Sequence, residues 1–513
     1  MEWSVIECAP SPDEEALTCF MRERGRGALY AEGWAEVYPE LTRGVREAHD
    51  GGAEKTWLAA RALAYGTTWK KYLSPREAVK TACADALKAA CKLKLKKVRL
   101  ILDGSRICTE EDQGSAGILL RDLARAAGIA AWSFDVYREK RDNTWDTFAL
   151  EFVLGGGYAE RSQEILRQAF DLALSVNCAR GLINEPGNVL TPPVFADRAL
   201  SMAEECGLRC TVLDRAALFA GEYAGILTVG QGSVFEPRMV ILQYRPDDAL
   251  GAGQVAPEEK KKARKGSRPR HIALVGKGIT FDTGGVSLKS SKDMHMMKDD
   301  MSGAAVALGV MRSLSKLKPD CTVSAVLVCA ENHIASAAQR PGDIFRQKSG
   351  KYIQVDNTDA EGRLCLIDGI YRAGEEGADT IIDIATLTGA CQRALGTSLA
   401  GLFGNDDALI EELRAAGRGS GEEVWPFPLV EEYAKQLETP HADLSNVGGA
   451  YAGHIVAALF LRNFVPPKAR WAHIDVCPAY FENGWKYYSP GGTAFGVQLL
   501  TDWIMDYAAR RDA

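Results

Sequence analysis

Short apolar runs and helical segments alternate along most of the chain. In the second half, strand-like runs recur at residues 239–244, 271–276, 322–329, 380–385 and 471–476. Runs that are apolar throughout are typical of strands buried on both faces of a sheet. Because helical segments separate these runs, we predict a large α/β domain with a mostly parallel central sheet.

The first 160 residues repeat this pattern on a smaller scale. Apolar runs at 98–102 and 132–136 alternate with helical segments, which predicts a small α/β domain. One helix start is well marked, because Ser74, Pro75 and Glu77 combine an N-cap, a proline at the first helical position and a capping box. The pattern predicts that this helix runs to about residue 92.

A longer helical stretch separates the two regions. Residues 160–183 keep helical apolar spacing for roughly six turns and end at the sequence Asn-Glu-Pro-Gly. We therefore expect an N-terminal α/β domain over residues 1–160, a connecting helix over 161–184 and a C-terminal domain over 185–513.

The composition is that of an ordinary globular protein. The 513 residues are 46% apolar and 25% charged, which excludes a mostly disordered chain. A net charge of −7 offers no overall attraction to nucleic acid or anionic lipid. The 13 cysteines lack the paired spacing of zinc ligands, so we interpret them as reduced thiols.

Signals for export or membrane insertion are not evident in the sequence. The first residues are acidic where a signal peptide needs basic residues followed by an apolar run. No stretch of 18 apolar residues occurs. We therefore expect a cytoplasmic protein.

The densest group of chemically active residues lies where a buried strand should end. Residues 275–285 read Val-Gly-Lys-Gly-Ile-Thr-Phe-Asp-Thr-Gly-Gly, and Lys289 and Asp300 follow. A phosphate loop needs four residues between its first Gly and Gly-Lys-Ser/Thr, and a dinucleotide fingerprint needs Gly where Phe281 stands. Neither nucleotide motif is therefore present, so a nucleotide-hydrolysing enzyme stays only as a third hypothesis that failure to bind ATP would close. Acids and lysines remain at strand ends, where open α/β sheets hold ligands.

A second group follows the strand-like residues 352–355. Residues 357–363 read Asn-Thr-Asp-Ala-Glu-Gly-Arg and precede the apolar residues 364–370. Asp359 and Glu361 should then lie at or near a helix N-terminus, where backbone amides stabilise anionic side chains. Taken alone, this motif also fits an ordinary capped helix.

Together, the two groups favour a metal site. They hold four carboxylates that would be costly to bury without compensating cations, namely Asp282, Asp300, Asp359 and Glu361. Oxygen-rich clusters of this kind can hold two divalent metals that polarise a carbonyl and activate a bridging water. The seven histidines never form His-Glu-x-x-His, so a single-zinc protease is not indicated. We interpret His295 and His333 as surface residues or as neighbours of the ligand residues.

These motifs resemble the leucyl aminopeptidase (cytosol aminopeptidase) family, whose signature stands unaltered at 357–363. Residues 275–285, the Asp-Met-x-Gly-Ala-Ala sequence at 300–305 and the steps of 5, 7, 11 and 59 residues that separate Lys277, Asp282, Lys289, Asp300 and Asp359 also match. The resemblance covers about residues 175–510 and is only loose before residue 160. It implies a small N-terminal macro-like α/β domain joined by a helix to a catalytic α/β domain, with a mixed, mostly parallel sheet flanked by helices.

The resemblance also implies a role for each residue. One metal ion would be held by Lys277, Asp282, Asp300 and Glu361, and a more exchangeable ion by Asp282, Asp359 and Glu361. A lysine ligand must be neutral, and burial beside two dications has the right sign to lower its pKa.

Further roles follow from the same resemblance. Lys289 would stay charged and stabilise the oxyanion, whereas Arg363 would bind a bicarbonate that shuttles protons. The apolar pocket for the first substrate residue would map to Met297, Thr386 and Gly389.

The implied activity is a metal-dependent aminopeptidase that removes single N-terminal residues, preferably leucine and other apolar ones, through a hydroxide bridging two Mn²⁺ or Zn²⁺ ions. The substrate needs a free amine, since the amine and the carbonyl oxygen would each bind one metal. A homohexamer is also implied.

Two features depart from the family pattern. Asp299 is an extra acid beside Asp300, and the insert at 251–270 carries seven basic residues against two glutamates. The insert is either a solvated loop or a contact patch for an acidic partner. A non-catalytic or moonlighting role in binding DNA or a partner protein therefore stays as the alternative, although the overall acidity argues against nucleic acid.

Overall fold

A computed structural model describes residues 2–6, 16–21, 56–58, 62–64, 75–92, 97–102, 113–139, 148–154, 159–246 and 270–510. The chain divides into two compact units, Met1–Asn177 with Glu482–Pro490, and Cys178–Phe481 with Gly491–Ala513. None of the helices in the described ranges has the length and apolarity needed to cross a bilayer. The basic insert lies outside the described residues, apart from Arg270.

The first unit is built on a six-stranded sheet. Its described elements are β1 (Glu2–Ile6), β2 (Ala16–Met21), β3 (Thr56–Leu58), β4 (Ala62–Ala64), α1 (Pro75–Lys92), β5 (Lys97–Leu102), α2 (Gln113–Ala130) and β6 (Ala149–Leu154). The strand order is β1-β6-β5-β2-β4-β3, with all neighbours parallel except the edge pair β3 and β4. The predicted small α/β domain is thus confirmed as a fold class.

Two contacts bring the segment Glu482–Pro490 into this unit. The Lys486 ammonium lies 3.0 Å from the Glu77 carboxylate of α1. The Ser489 hydroxyl donates to the Trp132 carbonyl oxygen at 2.6 Å. The first unit is therefore assembled from pieces that are distant in the sequence.

Two local predictions in this unit had different outcomes. The helix predicted to start near Pro75 is confirmed as α1, although Ser74 lies outside the described residues. The prediction of a strand at the apolar run 132–136 was wrong. The Arg138 amide donates to the Asp135 carbonyl at 2.9 Å, so the chain turns there instead. The Trp132 and Phe134 rings pack against each other there, with centroids 6.3 Å apart.

The long helix α3 (Ala159–Asn184) confirms the helix predicted over 160–183. The elements that follow it are α4 (Pro192–Cys206), β7 (Arg209–Leu213), α5 (Arg215–Ala220), α6 (Ala224–Gly230), β8 (Arg238–Tyr244), β9 (His271–Asp282), a 3₁₀ helix (Met294–Asp299), α7 (Ser302–Leu317), β10 (Thr322–Asn332), β11 (Ile344–Arg346), β12 (Tyr352–Gln354), α8 (Glu361–Glu375), β13 (Thr380–Ala385), α9 (Gly389–Leu395), β14 (Ala400–Gly404), α10 (Asp407–Ser420), β15 (Val424–Pro426), a second 3₁₀ helix (Glu431–Leu437), β16 (Leu444–Ser445), α11 (Gly453–Arg462), β17 (Arg470–Asp475), β18 (Tyr480–Phe481), β19 (Gly491–Gly492) and α12 (Val497–Ala509).

The second unit is built on an eight-stranded mixed sheet with the order β15-β14-β17-β13-β9-β10-β8-β7. Its central strands β17, β13, β9 and β10 are parallel to one another, and the antiparallel pairs are β14 with β17, β10 with β8 and β8 with β7. The mixed sheet with a parallel centre confirms the predicted fold class. Parallel strands place their carboxyl ends at the same edge, which is where such sheets hold ligands.

Helices cover both faces of this sheet at its centre. Consecutive residues of a strand point to opposite faces. Val275 of β9 meets Gly369 of α8, whereas Gly276 meets Ala304 of α7. Helices α7 and α8 therefore lie on opposite faces of β9, so its apolar residues are buried on both sides.

The central strands are longer than their apolar runs predicted. β9 continues to Asp282 and β10 to Asn332, where the two strands pair in parallel register with a bulge near Ala330. Polar residues of β9 such as Lys277 are held in the strand by this pairing rather than by apolar burial. The extension carries polar side chains to the carboxyl edge of the sheet.

Candidate metal centre

Acidic and basic side chains meet at the carboxyl edge of the central strands. β9 supplies Lys277 and ends at Asp282, and the loop after it supplies Lys289. Asp300 precedes α7, and Glu361 is the first residue of α8. The structure thus brings both groups of sequence-predicted residues to one place.

Lys277 lies at the centre of one half of the cluster. Its ammonium contacts Asp300 Oδ1 at 2.7 Å and Glu361 Oε1 at 3.0 Å, and it donates to the Thr386 carbonyl oxygen at 2.9 Å. Burial alone would lower the pKa of Lys277, but the carboxylates of Asp300 and Glu361 raise it instead. Lys277 is therefore a buried ammonium held between two acids.

Lys289 organises the other half of the cluster. Its ammonium lies 2.8 Å from Asp282 Oδ2 and also contacts Asp359 Oδ1. Burial opposes the charged form, but the nearby Asp282 and Glu361 carboxylates raise the pKa of Lys289. The side chain as a whole remains 23% exposed.

Three carboxylates form a compact ligand set. Asp282, Asp359 and Glu361 each offer an oxygen, and these oxygens lie within 4.8 Å of one another. Asp282 is fixed by three donors, namely Lys289, the Gly284 amide at 2.8 Å and the Asn332 side-chain amide at 2.8 Å. Hard oxygen donors in this arrangement suit divalent cations.

The charge balance of the cluster also fits bound cations. Burial raises the pKa of Asp282 to about 7, with Glu361 adding to the effect and the two lysines opposing it. Burial raises the pKa of Asp300 well above its ordinary value in the same way. Burial acts on Glu361 too, but Lys277 and Lys289 outweigh it and lower the pKa of Glu361. Added positive charge would stabilise these crowded carboxylates.

Unpaired oxygens support the same conclusion. Asp300 Oδ2 and Glu361 Oε2 are buried and have no hydrogen-bond partner within the described part of the chain. Buried acceptors are normally satisfied, and exceptions point to a missing ion or water. The residues present therefore fit a site for divalent metal ions.

Gly362 makes room for Lys277. A Cβ atom on Gly362 would lie 2.4 Å from Cε and 2.7 Å from Nζ of Lys277. Only a residue without a side chain lets the first turn of α8 approach the lysine this closely. Close packing against Lys277 therefore explains the glycine in the Asp-Ala-Glu-Gly-Arg sequence.

Arg363 is buried beside the cluster. Its Nη1 donates to the Asn446 carbonyl oxygen at 2.7 Å, and its buried Nε has no hydrogen-bond partner among the residues described. Burial lowers the pKa of Arg363 to about 10, against the opposing effect of Glu361. A charged guanidinium with an unused donor is suited to an anion.

Of the three residues predicted to line the substrate pocket, one contacts the metal-site cluster and the other two lie on separate helices. Thr386 joins the cluster, since its hydroxyl donates to Asp300 Oδ1 at 2.8 Å. Met297 is half-buried in the 3₁₀ helix that leads to Asp300, and Gly389 is the exposed first residue of α9. His295 and His333 are exposed.

Sequence reasoning missed several supporting residues. Asn332 bridges Asp282 and the Thr358 carbonyl oxygen, at 2.8 and 3.0 Å. The Asn446 side chain accepts from the Asp356 amide at 2.8 Å and donates to the Asn357 carbonyl at 2.7 Å. Asn332 stands at the end of the strand next to β9, which was a usable signal, whereas no local pattern marks Asn446.

Asp299, the extra acid beside Asp300, is buried. Burial raises its pKa to about 7, opposed mainly by Lys277. The Ser302 hydroxyl donates to the Asp299 backbone carbonyl at 2.5 Å, at the start of α7.

The ten cysteines whose side chains are described are all free thiols, as predicted.

Comparison with known proteins places this site in one family. Residues 177–501 match the cytosol aminopeptidase family, catalytic domain. The probable cytosol aminopeptidase of Aquifex aeolicus is 40% identical over 389 residues, which cover 75% of this chain and 74% of that protein. The probable cytosol aminopeptidase of Streptomyces avermitilis is 42% identical over 386 residues, covering 74% and 71%.

A solved structure is similar over nearly the whole chain. The bottromycin maturation enzyme BotP in complex with Mn gives a TM-score of 0.76 at 30% identity, covering 97% of this chain and 100% of that one. The mixed sheet, the acid-rich cluster at its edge and these likenesses define a metal-dependent aminopeptidase that acts on peptides. The chain belongs to the cytosol aminopeptidase family.

Proposed function

We propose that this enzyme removes single N-terminal residues, with a preference for leucine and other apolar residues, and that it uses two divalent cations. The observation that carries the proposal is the set of Asp282, Asp359 and Glu361 oxygens within 4.8 Å of one another. Lys277 and Asp300, 2.7 Å apart, adjoin this set through Glu361.

The ligand roles follow the family signature. Asp282 and Glu361 would contact both cations, Asp359 would complete one site, and Asp300 with Lys277 the other. When bound, the two cations would polarise the scissile carbonyl and lower the pKa of a water. Mn²⁺ and Zn²⁺ both suit this donor set. Lys277 would have to lose its proton to act as a ligand, so metal binding is expected to release protons.

Lys289 is proposed as the group that stabilises negative charge on the substrate oxygen. Its raised pKa keeps it an ammonium at neutral pH, and part of its side chain faces solvent. A preorganised positive charge beside the reacting carbonyl stabilises the oxyanion that develops there.

Arg363 is proposed to hold a bicarbonate through its Nε donor, and the bicarbonate would carry protons during the reaction. The buried Nε without a partner in the described residues supports an anion there. This assignment removes the need for a general base on a Glu or His side chain.

The remaining proposals rest on the family likeness. Met297, Thr386 and Gly389 would line the pocket for the first substrate residue. The enzyme would act in the cytoplasm as a homohexamer, with domains bounded near residues 160 and 184. The name of the relatives, cytosol aminopeptidase, supports the location.

The test is hydrolysis of leucine-p-nitroanilide by the full chain, before chelation, after chelation and after addition of Mn²⁺ or Zn²⁺. We expect turnover to disappear on chelation and to return with metal. N-acetyl-leucine-p-nitroanilide is the matched control and should not be cleaved, because its amine is blocked. Turnover that survives chelation, or equal cleavage of the acetylated substrate, would contradict the proposal.

A further inference from the structure

The Asp475 side chain contacts the loop that connects β13 to α9. Asp475 is the last residue of β17 and is 1% exposed. It pairs in parallel register with Ala385, the last residue of β13. Its side chain is therefore at the carboxyl edge of the sheet, next to the residues that follow β13.

Within the described part of the chain, the hydrogen bonds to the Asp475 carboxylate all come from that loop. Oδ1 accepts from the Leu387 and Thr388 amides, each at 3.1 Å. Oδ2 accepts from the Thr388 hydroxyl at 2.6 Å. The same hydroxyl accepts from the Cys391 amide at 3.0 Å and so caps α9. One buried carboxylate thus fixes two successive residues of the loop and the start of the next helix.

The residue just before this fixed pair contacts the metal centre twice. The Thr386 carbonyl oxygen accepts from Lys277 Nζ at 2.9 Å. The Thr386 hydroxyl donates to Asp300 Oδ1 at 2.8 Å. Thr386 is bonded directly to Leu387, so it immediately precedes the two residues that the Asp475 carboxylate holds.

We infer that Asp475 is a positioning residue for the metal centre: through Thr388 and Leu387 it holds Thr386 in the place from which it orients Lys277 and Asp300. The inference rests on the proposed function, since it takes these two side chains to be cation ligands. Residues that orient metal ligands typically change metal affinity by 10- to 100-fold when altered. Asp475 acts one step further out, so about a tenfold effect is expected.

A purely structural role predicts a different result. If Asp475 only anchored α9, its substitution would lower the melting temperature of the protein and leave the metal affinity of the folded protein unchanged. Metal affinity of the stripped protein therefore separates the two roles without measuring activity.

The experiment compares four variants of the full chain. Asp475→Asn keeps the size of the side chain but places a donor where the Thr388 hydroxyl donates. Thr388→Val removes that hydroxyl, whereas Thr388→Ser keeps the hydroxyl and removes only the methyl group. Asp214→Asn is the matched control, because Asp214 caps α5 through the Ala217 amide at 2.8 Å.

Binding of Mn²⁺ to each metal-stripped variant is measured by titration calorimetry, with circular dichroism to verify folding. We expect Asp475→Asn and Thr388→Val to raise the dissociation constant of one binding step about tenfold. Thr388→Ser and Asp214→Asn should bind as the wild type does.

Wild-type affinity in folded Asp475→Asn and Thr388→Val would overturn the inference while leaving the proposed function intact. A wild-type chain that binds no Mn²⁺ and shows no metal-dependent turnover would overturn both. Loss of affinity in Thr388→Ser equal to that in Thr388→Val would also count against the role of the hydroxyl.

Discussion

The contact between Gly362 and Lys277 gives the sharpest quantitative prediction. In Gly362→Ala, the new methyl group would lie 2.4 Å from Lys277 Cε and 2.7 Å from Nζ. Ordinary carbon contacts are about 3.5–4.0 Å. Lys277 must therefore move by about 1 Å or more, or the first turn of α8 must move away from the strand.

A shift of this size breaks the contacts of the lysine. Its ammonium lies 2.7–3.0 Å from Asp300, Glu361 and the Thr386 carbonyl, and one more ångström takes it beyond hydrogen-bond distance. A misplacement of about 1 Å at a reacting site can cost about 100-fold in rate, or about 2.7 kcal/mol. Alanine is favoured over glycine by about 1 kcal/mol inside helices, which offsets part of the steric cost to stability.

We therefore expect Gly362→Ala to lower kcat on leucine-p-nitroanilide about 100-fold. The matched control is Gly419→Ala in α10, where the added methyl group has no heavy atom within 4 Å. That variant should be as active as the wild type and slightly more stable. A Gly362→Ala enzyme with wild-type kcat and metal affinity would refute the packing argument.

Three further predictions concern single side chains. Glu361→Ala should abolish turnover in metal-replete assays while circular dichroism stays native, since it removes the carboxylate shared by both proposed sites; retained activity would contradict that role. Lys289→Met should lower kcat about 10²–10³-fold with Mn²⁺ still bound, because it removes the charge beside the oxyanion; a change confined to KM would contradict it. Burial raises the pKa of Asp368 to about 7, against hydrogen bonds from the Ile226 amide and Gln347. The folded state then binds more protons than the unfolded state above about pH 4, so stability falls as the pH rises towards 7; Asp368→Asn should flatten this fall in urea unfolding curves, and an unchanged slope would show that the carboxyl titrates normally.

The central part of the fold could be predicted from local pattern. The five apolar runs of the second half became β8, β9, β10, β13 and β17, because a strand buried on both faces must be apolar throughout. Pattern alone ended β9 at Gly276 and β10 at Cys329, whereas backbone pairing carries both strands further. Strand length depends on a partner strand that the sequence does not mark.

For the site as well, local pattern predicted the residues beside apolar runs but not those brought in by tertiary contacts. Acids and lysines at strand ends and at a helix start could be found, since each lies beside its own apolar run. Asn446 and Asp475 could not be found, because they reach the site through contacts with residues about 90 positions away in the sequence. Their roles depend on tertiary packing rather than on any short motif.

The segment Glu482–Pro490 determines how late during synthesis the first unit can complete its folding. The unit that begins at the N-terminus includes this segment, in which Lys486 pairs with Glu77. That unit can reach its complete set of contacts only after almost the whole chain has left the ribosome. A gene fragment that stops after residue 177 would therefore encode a polypeptide without this closing piece, and its folding would not report on the N-terminal unit of the intact protein.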